Sequence, residues 1–220
     1  MMDVNVLKAY LPLYNEALLL TVKTGFAGIL TALIIGLSGA AVLHFKIPVL
    51  KKVIAAYIEV FRNTPLLVQL FFIYFALPKI GIRIPAQGCG ILGLGLIGGA
   101  YMTETIRSGF ESIDRIQTES ALALGMNGPQ VLLHVILPQA IAVSFPGLMA
   151  NVIFLLKETS VFSTISLLDL MFTAKDLIGM YAKTMECLFL LTVYYLIMLL
   201  PVSLLGSFVE RRLRHAEFGD

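Results

Sequence analysis

The chain has 220 residues, 58% of them hydrophobic and 14% charged, against roughly 45–50% and ~25% in soluble domains. That balance excludes a soluble globular domain and points to an integral membrane protein. A formal net charge of +2 is too small to suggest a nucleic-acid partner.

The opening segment, 1–16, carries Pro12 and scattered charge, and it is expected to lie along the membrane surface. Four stretches then lack Lys, Arg, Asp, Glu and His: 24–43, 84–103, 135–156 and 187–209. Each approaches the ~20 residues that a helix needs to cross a bilayer. A fifth, 63–78, is shorter; extended back to Val53 it reaches membrane length, interrupted by Glu59 and Arg62. The reading is an all-α integral membrane protein with about five transmembrane helices in one domain, 1–220. The apolar run after Lys23 is too long for a signal-peptide core, so the N-terminus is expected to be retained.

In the first span Gly28, Ala32, Gly36 and Ala40 recur every four residues, a stripe suited to close helix packing. Residues 44–52 read as a short basic connection and 78–87 as a turn. The third span contains Gly93-Leu-Gly-Leu-Ile-Gly98, formally a dinucleotide fingerprint. No strand precedes it and the run is of membrane length, so Gly95 and Gly99 are read as a packing face instead. No G-x-x-x-x-G-K-[ST] phosphate loop occurs. Cys89 and Cys187 lie near or within apolar runs and suggest packing rather than a disulfide or metal site. His44, His134 and His215 are widely scattered and have no metal-ligand spacing.

A charge at the bilayer centre costs ~2.5–3.5 kcal/mol on insertion scales, so each needs a reason. Glu59 and Arg62 stand three apart and can pair on one helix; Glu104 and Arg107 repeat the spacing, with Tyr101 on the face of Glu104.

The stretch most clearly built for a partner is 119–138, ESALALGMNGPQVLLHVILP, with Arg107, Glu111, Asp114, Arg115 and Glu119 around its start. A short helix is expected over 117–124, ended by a left-handed residue at Gly125. Asn127 then offers a cap and Pro129 a first-turn proline for a second helix reaching Leu137. Pro138 is expected to break or bend the chain. Ser120, Ala121, Ala123 and Gly125 would form an outer face of small side chains, which lets another backbone approach. It reads as a docking knuckle.

Glu119-Ser120-Ala121-x-x-x-Gly125, nine further residues and Val-x-Leu137-Pro138 resemble the EAA motif of ATP-binding-cassette (ABC) importer permeases. Ser120 and Val135 depart from its usual Ala and Ile. Glu59-Val-Phe-Arg62-Asn-Thr64-Pro65-Leu-Leu-Val-Gln69 resembles the signature of permeases for polar amino acids, the histidine, glutamine, glutamate and arginine group. Ala100-Tyr101-x-x-Glu104-x-x-Arg107 and Leu156-Lys157-Glu158-Thr159-Ser160 are similar to two more of its hallmarks. Together these motifs cover residues 57 to about 163. Leu133 and Ala142 stand where many members carry a base.

The resemblance implies the ABC type I importer permease fold, with a cytosolic coupling loop at about 111–138. Its ATPase contacts would be Glu119, Ser120, Ala121, Gly125, Met126, Leu137 and Pro138. Two cytosolic ATPase subunits would carry ATP and Mg, and this chain no cofactor. A second permease, identical or homologous, and an extracytoplasmic amino-acid-binding protein would complete the assembly in a bacterial cytoplasmic (inner) membrane. Substrate-path roles carry over to Tyr101, Glu104, Asn151, Lys157, Thr159, Ser160 and Ser163, and structural ones to Glu59, Arg62, Thr64, Pro65, Gln69 and Arg107. The physical expectation is that Glu104 meets a cationic group of an amino acid and Lys157 its carboxylate.

Arg211, Arg212 and Arg214 favour a cytosolic C-terminus. That puts the Lys46, Lys51 and Lys52 connection beside the knuckle, although Lys79, Arg83, Lys175 and Lys183 then fall outside. Two competing readings are an ion-coupled carrier working alone, which usually has more spans and internal repeats, and a membrane enzyme, which needs convergent catalytic groups.

Overall fold

The computed structural model describes residues 3–45 and 47–218, with side chains as far as residue 213. Its described residues form helices and turns without strands. Helix α1 spans Val4–His44, α2 Pro48–Arg62, α3 Leu66–Phe71, α4 Ala86–Glu111, α5 Arg115–Ala123, α6 Gly128–Val131, α7 Leu137–Glu158, α8 Leu170–Tyr181 and α9 Thr184–Phe218. Four helical runs are long and apolar enough to cross a membrane, and α2 with the α3 segment makes a bent fifth.

The expected small-residue stripe lies at the centre of the molecule. Gly28 and Gly36 on α1 face Leu94 and Met102 on α4, and a Cβ at either glycine would stand 2.7 Å from its neighbour. From the other side, Gly95 of α4 meets Thr31 and Gly99 meets Ile35. The two helices therefore run in backbone-close contact, as small residues permit where apolar burial alone does not drive association. Ala32, Leu94, Met102, Leu155 and Phe162 form the core on this seam. Cys89 and Cys187 are both buried and unpaired.

The opening segment is not a separate element. It forms the first turns of α1, capped by Asp3, whose carboxylate accepts the Asn5 N–H at 2.9 Å. Tyr14, with no exposed surface, donates to the Cys187 carbonyl at 2.7 Å and packs with Ala17, Leu170, Leu177 and Leu190. Tyr194 donates to Asn15 Oδ1. This docking against α8 and α9 supplies the tertiary contacts that carry the helix past Pro12. At 41 residues and ~1.5 Å per residue, α1 is about twice as long as a ~30 Å hydrocarbon core is thick.

The second span is not one straight helix either. Residues α2 and 66–80 meet at 104°. The break falls at Asn63-Thr64-Pro65, where proline removes a backbone donor and pushes its predecessor out of helical geometry. Gln69 holds the corner: its Nε2 donates to Phe61 O at 3.1 Å and Thr64 O at 2.9 Å. Thr64 Oγ1 donates to Val60 O at 2.7 Å.

Pro138, by contrast, breaks nothing. The chain runs on as one helix from Gly128 to Ile165. A widened π turn at Leu132–Ile136 brings the Leu137 N–H to Leu132 O, giving the proline ring a place without ending the helix. The connection after α1 is also shorter than expected, because Lys51 and Lys52 already belong to α2; Lys46 lies outside the described residues.

Asp169, outside the spans, caps α8: its Oδ1 accepts the Phe172 N–H at 3.0 Å and its Oδ2 the Met171 N–H at 3.4 Å. It is fully buried. Burial pushes its carboxyl up to about 7, against the two N–H bonds and distant Lys175. A carboxyl raised in the fold favours the protonated folded state, so its contribution is most favourable below the ordinary carboxylate range of about 4. It is lost as pH rises from there through about 7. Asp169→Asn keeps a good cap. Thermal unfolding of the purified complex is expected to show the wild type losing stability relative to this variant across that window; parallel profiles would refute the assignment.

Candidate functional site

The bend at 63–65 opens a concavity of about 420 Å³ against α4 and the end of α7. Arg62, Asn63, Pro65, Tyr101, Phe154 and Glu158 are among the residues lining it. The Arg62 guanidinium sits 5.3 Å from the Tyr101 ring centroid, a cation–π distance. Phe154 meets Tyr101 edge-on at 5.5 Å. The pocket thus combines a cation, a carboxylate and an aromatic wall.

Beside it, charges form a ladder down α4. Arg62 Nη1 lies 3.8 Å from Glu104 Oε2. Arg107 grips the same carboxylate with two bonds, Nε to Oε1 at 3.1 Å and Nη2 to Oε2 at 2.9 Å, and reaches Glu111 with Nη1. The expected Glu104–Arg107 pair is therefore present. The expected Glu59–Arg62 pair is not: Arg62 turns to α4, while Glu59 Oε1 accepts from Asn63 Nδ2 at 3.2 Å. The reason is tertiary, since α2 packs against α4 and puts its last turn beside Glu104.

The remaining sequence-derived site residues scatter. Asn151 donates to Thr105 Oγ1 at 2.9 Å and ties α7 to α4. Lys157 is exposed and absent from the pocket lining, which takes its neighbour Glu158 instead. Thr159 is fully buried, its hydroxyl donating to Leu156 O at 2.7 Å. Ser163 donates to Ser160 O at 3.2 Å, both half-buried beyond the pocket. Glu158 and Phe154 were missed as site residues. Glu158 stands in the same motif as Lys157, but only the helical phase at the end of α7 decides which faces the cavity.

The knuckle forms much as its residues suggest. Asp114 caps α5, accepting the Ile116 N–H at 3.0 Å. Gly125 has φ +86°, the left-handed region that favours glycine. Asn127 and Gln130 close a reciprocal capping box at 3.0 and 2.9 Å. The outer face differs from expectation. Ala121 is buried, so it belongs to the inner side, and large apolar residues join the small ones: Leu124 is 84% exposed, Ile116 62%. Glu119 and Ser120 are exposed, Met126 and Leu137 half-buried, and Pro138 exposed within the continuous helix.

The sequence profile of binding-protein-dependent transport system inner membrane components matches residues 28–215. The chain belongs to this family. Among its relatives, a probable amino-acid ABC transporter permease of Vibrio harveyi is 39% identical over 176 residues, covering 79% of each chain. A probable glutamine ABC transporter permease of Bacillus subtilis (strain 168) is 36% identical over 167 residues, 76% of this chain and 77% of that one. In three dimensions the permease superposes on a crystal structure of an amino acid ABC transporter with histidines. The TM-score is 0.89 at 35% identity, over 96% of this chain and 99% of that chain. An inward-facing methionine ABC transporter gives a TM-score of 0.77 at 17% identity, covering 93% and 98%, a likeness of fold alone. The permease has the type I importer fold.

The ladder makes a quantitative prediction. Arg62–Glu104 is long and partly solvent-screened, so a double-mutant cycle with Arg62→Gln and Glu104→Gln should couple by at most ~1 kcal/mol. Arg107–Glu104, bidentate and shorter, should couple more strongly. Thermal unfolding of the four variants in each cycle reads both terms, and equal coupling would contradict the geometry.

Proposed function

We propose that this permease subunit carries polar or charged L-amino acids inward across a bacterial cytoplasmic membrane, driven by ATP hydrolysis in two cytosolic ATPase subunits. The observation that carries the reading is the pocket at the bent span. A zwitterion entering a membrane must replace its lost hydration. Arg62 can meet the carboxylate, Glu158 the ammonium group, and Tyr101 and Asn63 add polar contacts. Glu104 then acts by holding Arg62, rather than as the direct ligand that its sequence context suggested. Asn151, Ser160 and Ser163 belong to the surrounding path, and Lys157 and Thr159 to its packing and rim. The names of the relatives, which include glutamine and amino-acid permeases, support the substrate class.

The chain's own part in coupling is the knuckle, whose exposed Leu124 and small neighbours suit a cleft on an ATPase that holds ATP and Mg. A second permease, identical or homologous, faces the pocket, and an extracytoplasmic binding protein delivers the substrate. Family membership disfavours a stand-alone ion-coupled carrier.

Uptake by proteoliposomes containing permease, ATPase and binding protein, tested with a panel of labelled amino acids, should favour polar or charged substrates. Leu124→Asp is expected to weaken co-purification of the ATPase and to reduce uptake at least tenfold. Preference for apolar amino acids would overturn the substrate reading, and undiminished assembly and uptake in the variant the coupling reading.

The C-terminus and the knuckle share the cytosolic side in this reading, with Ile80 outside. After replacement of Cys89 and Cys187, a cysteine at position 217 should resist an impermeant thiol reagent in intact cells and react after lysis. Labelling without lysis would reverse the orientation.

A further inference from the structure

Two cavities flank the contact between His44 and Phe110, whose ring centroids are 5.0 Å apart. One, of about 330 Å³ beneath α5, is lined by His44, Arg115 and Thr118 among others. The other, of about 190 Å³, is lined by the apolar side chains of Leu37 and Ala41 on α1, Phe45 at its C-terminal cap and Leu137 on α7. His44, Phe110 and Leu132 line both, so the two lie side by side as the halves of one groove that passes over this contact. Its apolar end lies along helices of the spans, and its polar end lies where those helices give way to the knuckle.

The charge at the polar end is uncommitted. Asp114 beside Arg115 is used in capping Ile116, and Glu111 is held by Arg107. Among the described residues no carboxylate stands within ion-pair distance of Arg115. At the other end Leu37 and Phe45 are 53% and 65% exposed. The small side chains of Ala40 and Ala41 leave the space between them open. Along the spans that apolar arm is a surface for acyl chains, and a lipid without net charge would leave Arg115 without a counter-charge.

We propose that this groove binds an anionic phospholipid. Its phosphate lies between Arg115 and His44, and one acyl chain runs over Leu37 and Ala41 toward Leu137. The lipid comes from the leaflet on the knuckle side; calling that leaflet cytosolic rests on the coupling reading, but the binding does not. Seated there, the lipid wedges α5 against the end of α1 and helps set the knuckle's position.

Native mass spectrometry of the purified permease–ATPase complex from nanodiscs of mixed phosphatidylglycerol and phosphatidylcholine tests this without measuring transport. The wild type should retain phosphatidylglycerol in preference to phosphatidylcholine. Arg115→Gln should reduce that preference about tenfold or more, the worth of a hydrogen bond to a charged group. Ala41→Phe, which fills the apolar arm, should reduce retention of the lipid itself. Lys51→Gln with Lys52→Gln, exposed cations on α2 outside the groove, should leave the preference intact. Equal retention of the two lipids by the wild type would overturn the proposal. So would an unchanged preference in Arg115→Gln, or a preference that follows the two lysines. Because assembly is read in the same spectra, loss of lipid with the ATPase still bound is distinct from failure of the coupling surface.

Discussion

The close approach of α1 and α4 is the constraint on which the rest of the molecule depends. In a bilayer, lipid tails are as apolar as leucine, so helices associate through fit rather than through escape from water. Glycines at 28, 36, 95 and 99 bring two backbones together over about 12 Å of their length. Gly98 then takes Leu155 of α7 against the same ridge, and Gly93 takes Leu70 beyond the bend. The second span and α7 are therefore positioned from α4, while α9 packs on α1, α7 and α8. That is why the pocket and the charged ladder share this helix as a wall.

Against so rigid a seam, the bent second span is the irregular part. Bare backbone at membrane depth survives only where its polar groups find partners within the protein or face a wet cavity. Gln69, Thr64 and Asn63 each return a bond to the carbonyls freed near the break. The corner is thus stable, and its concave side faces Tyr101 and Glu158. Arg62, at the corner, belongs to both systems: it lies over Tyr101 and reaches Glu104. In the proposed reading an anionic group entering the pocket would compete for a guanidinium that also ends the α4 ladder, and that ladder runs to Glu111, three residues before the cap of α5. The shared arginine gives the pocket and the knuckle a physical connection.

The knuckle itself is held by local devices: an aspartate cap, a left-handed glycine and a capping box. Its inner side rests through Ala121 and Val131, both buried, while Leu124 stands clear at the tip. Cavities of about 330 and 190 Å³ separate this unit from the end of α1.

Membrane location, an approximate span number, the small-residue seam and the knuckle's turn chemistry were all legible in the chain, because each depends on composition, a four-residue period or a local backbone requirement. The EAA stretch and the Glu59–Gln69 signature likewise marked the family. What the sequence could not determine is how separate elements meet. Pro138 read as a breaker and Pro12 as part of a surface-lying segment, yet docking by Tyr14 and a widened turn carry both helices through. The Asn63–Pro65 break, which truly bends the chain, was hidden inside an apolar run of span length. Arg62 had a partner three residues away by spacing and took Glu104 instead, because the bend and α4 brought a carboxylate within reach. Between adjacent Lys157 and Glu158, only the phase of α7 against that corner selected which charge faces the pocket. Local rules need only neighbours in sequence; pairing and pocket walls are set by long-range packing.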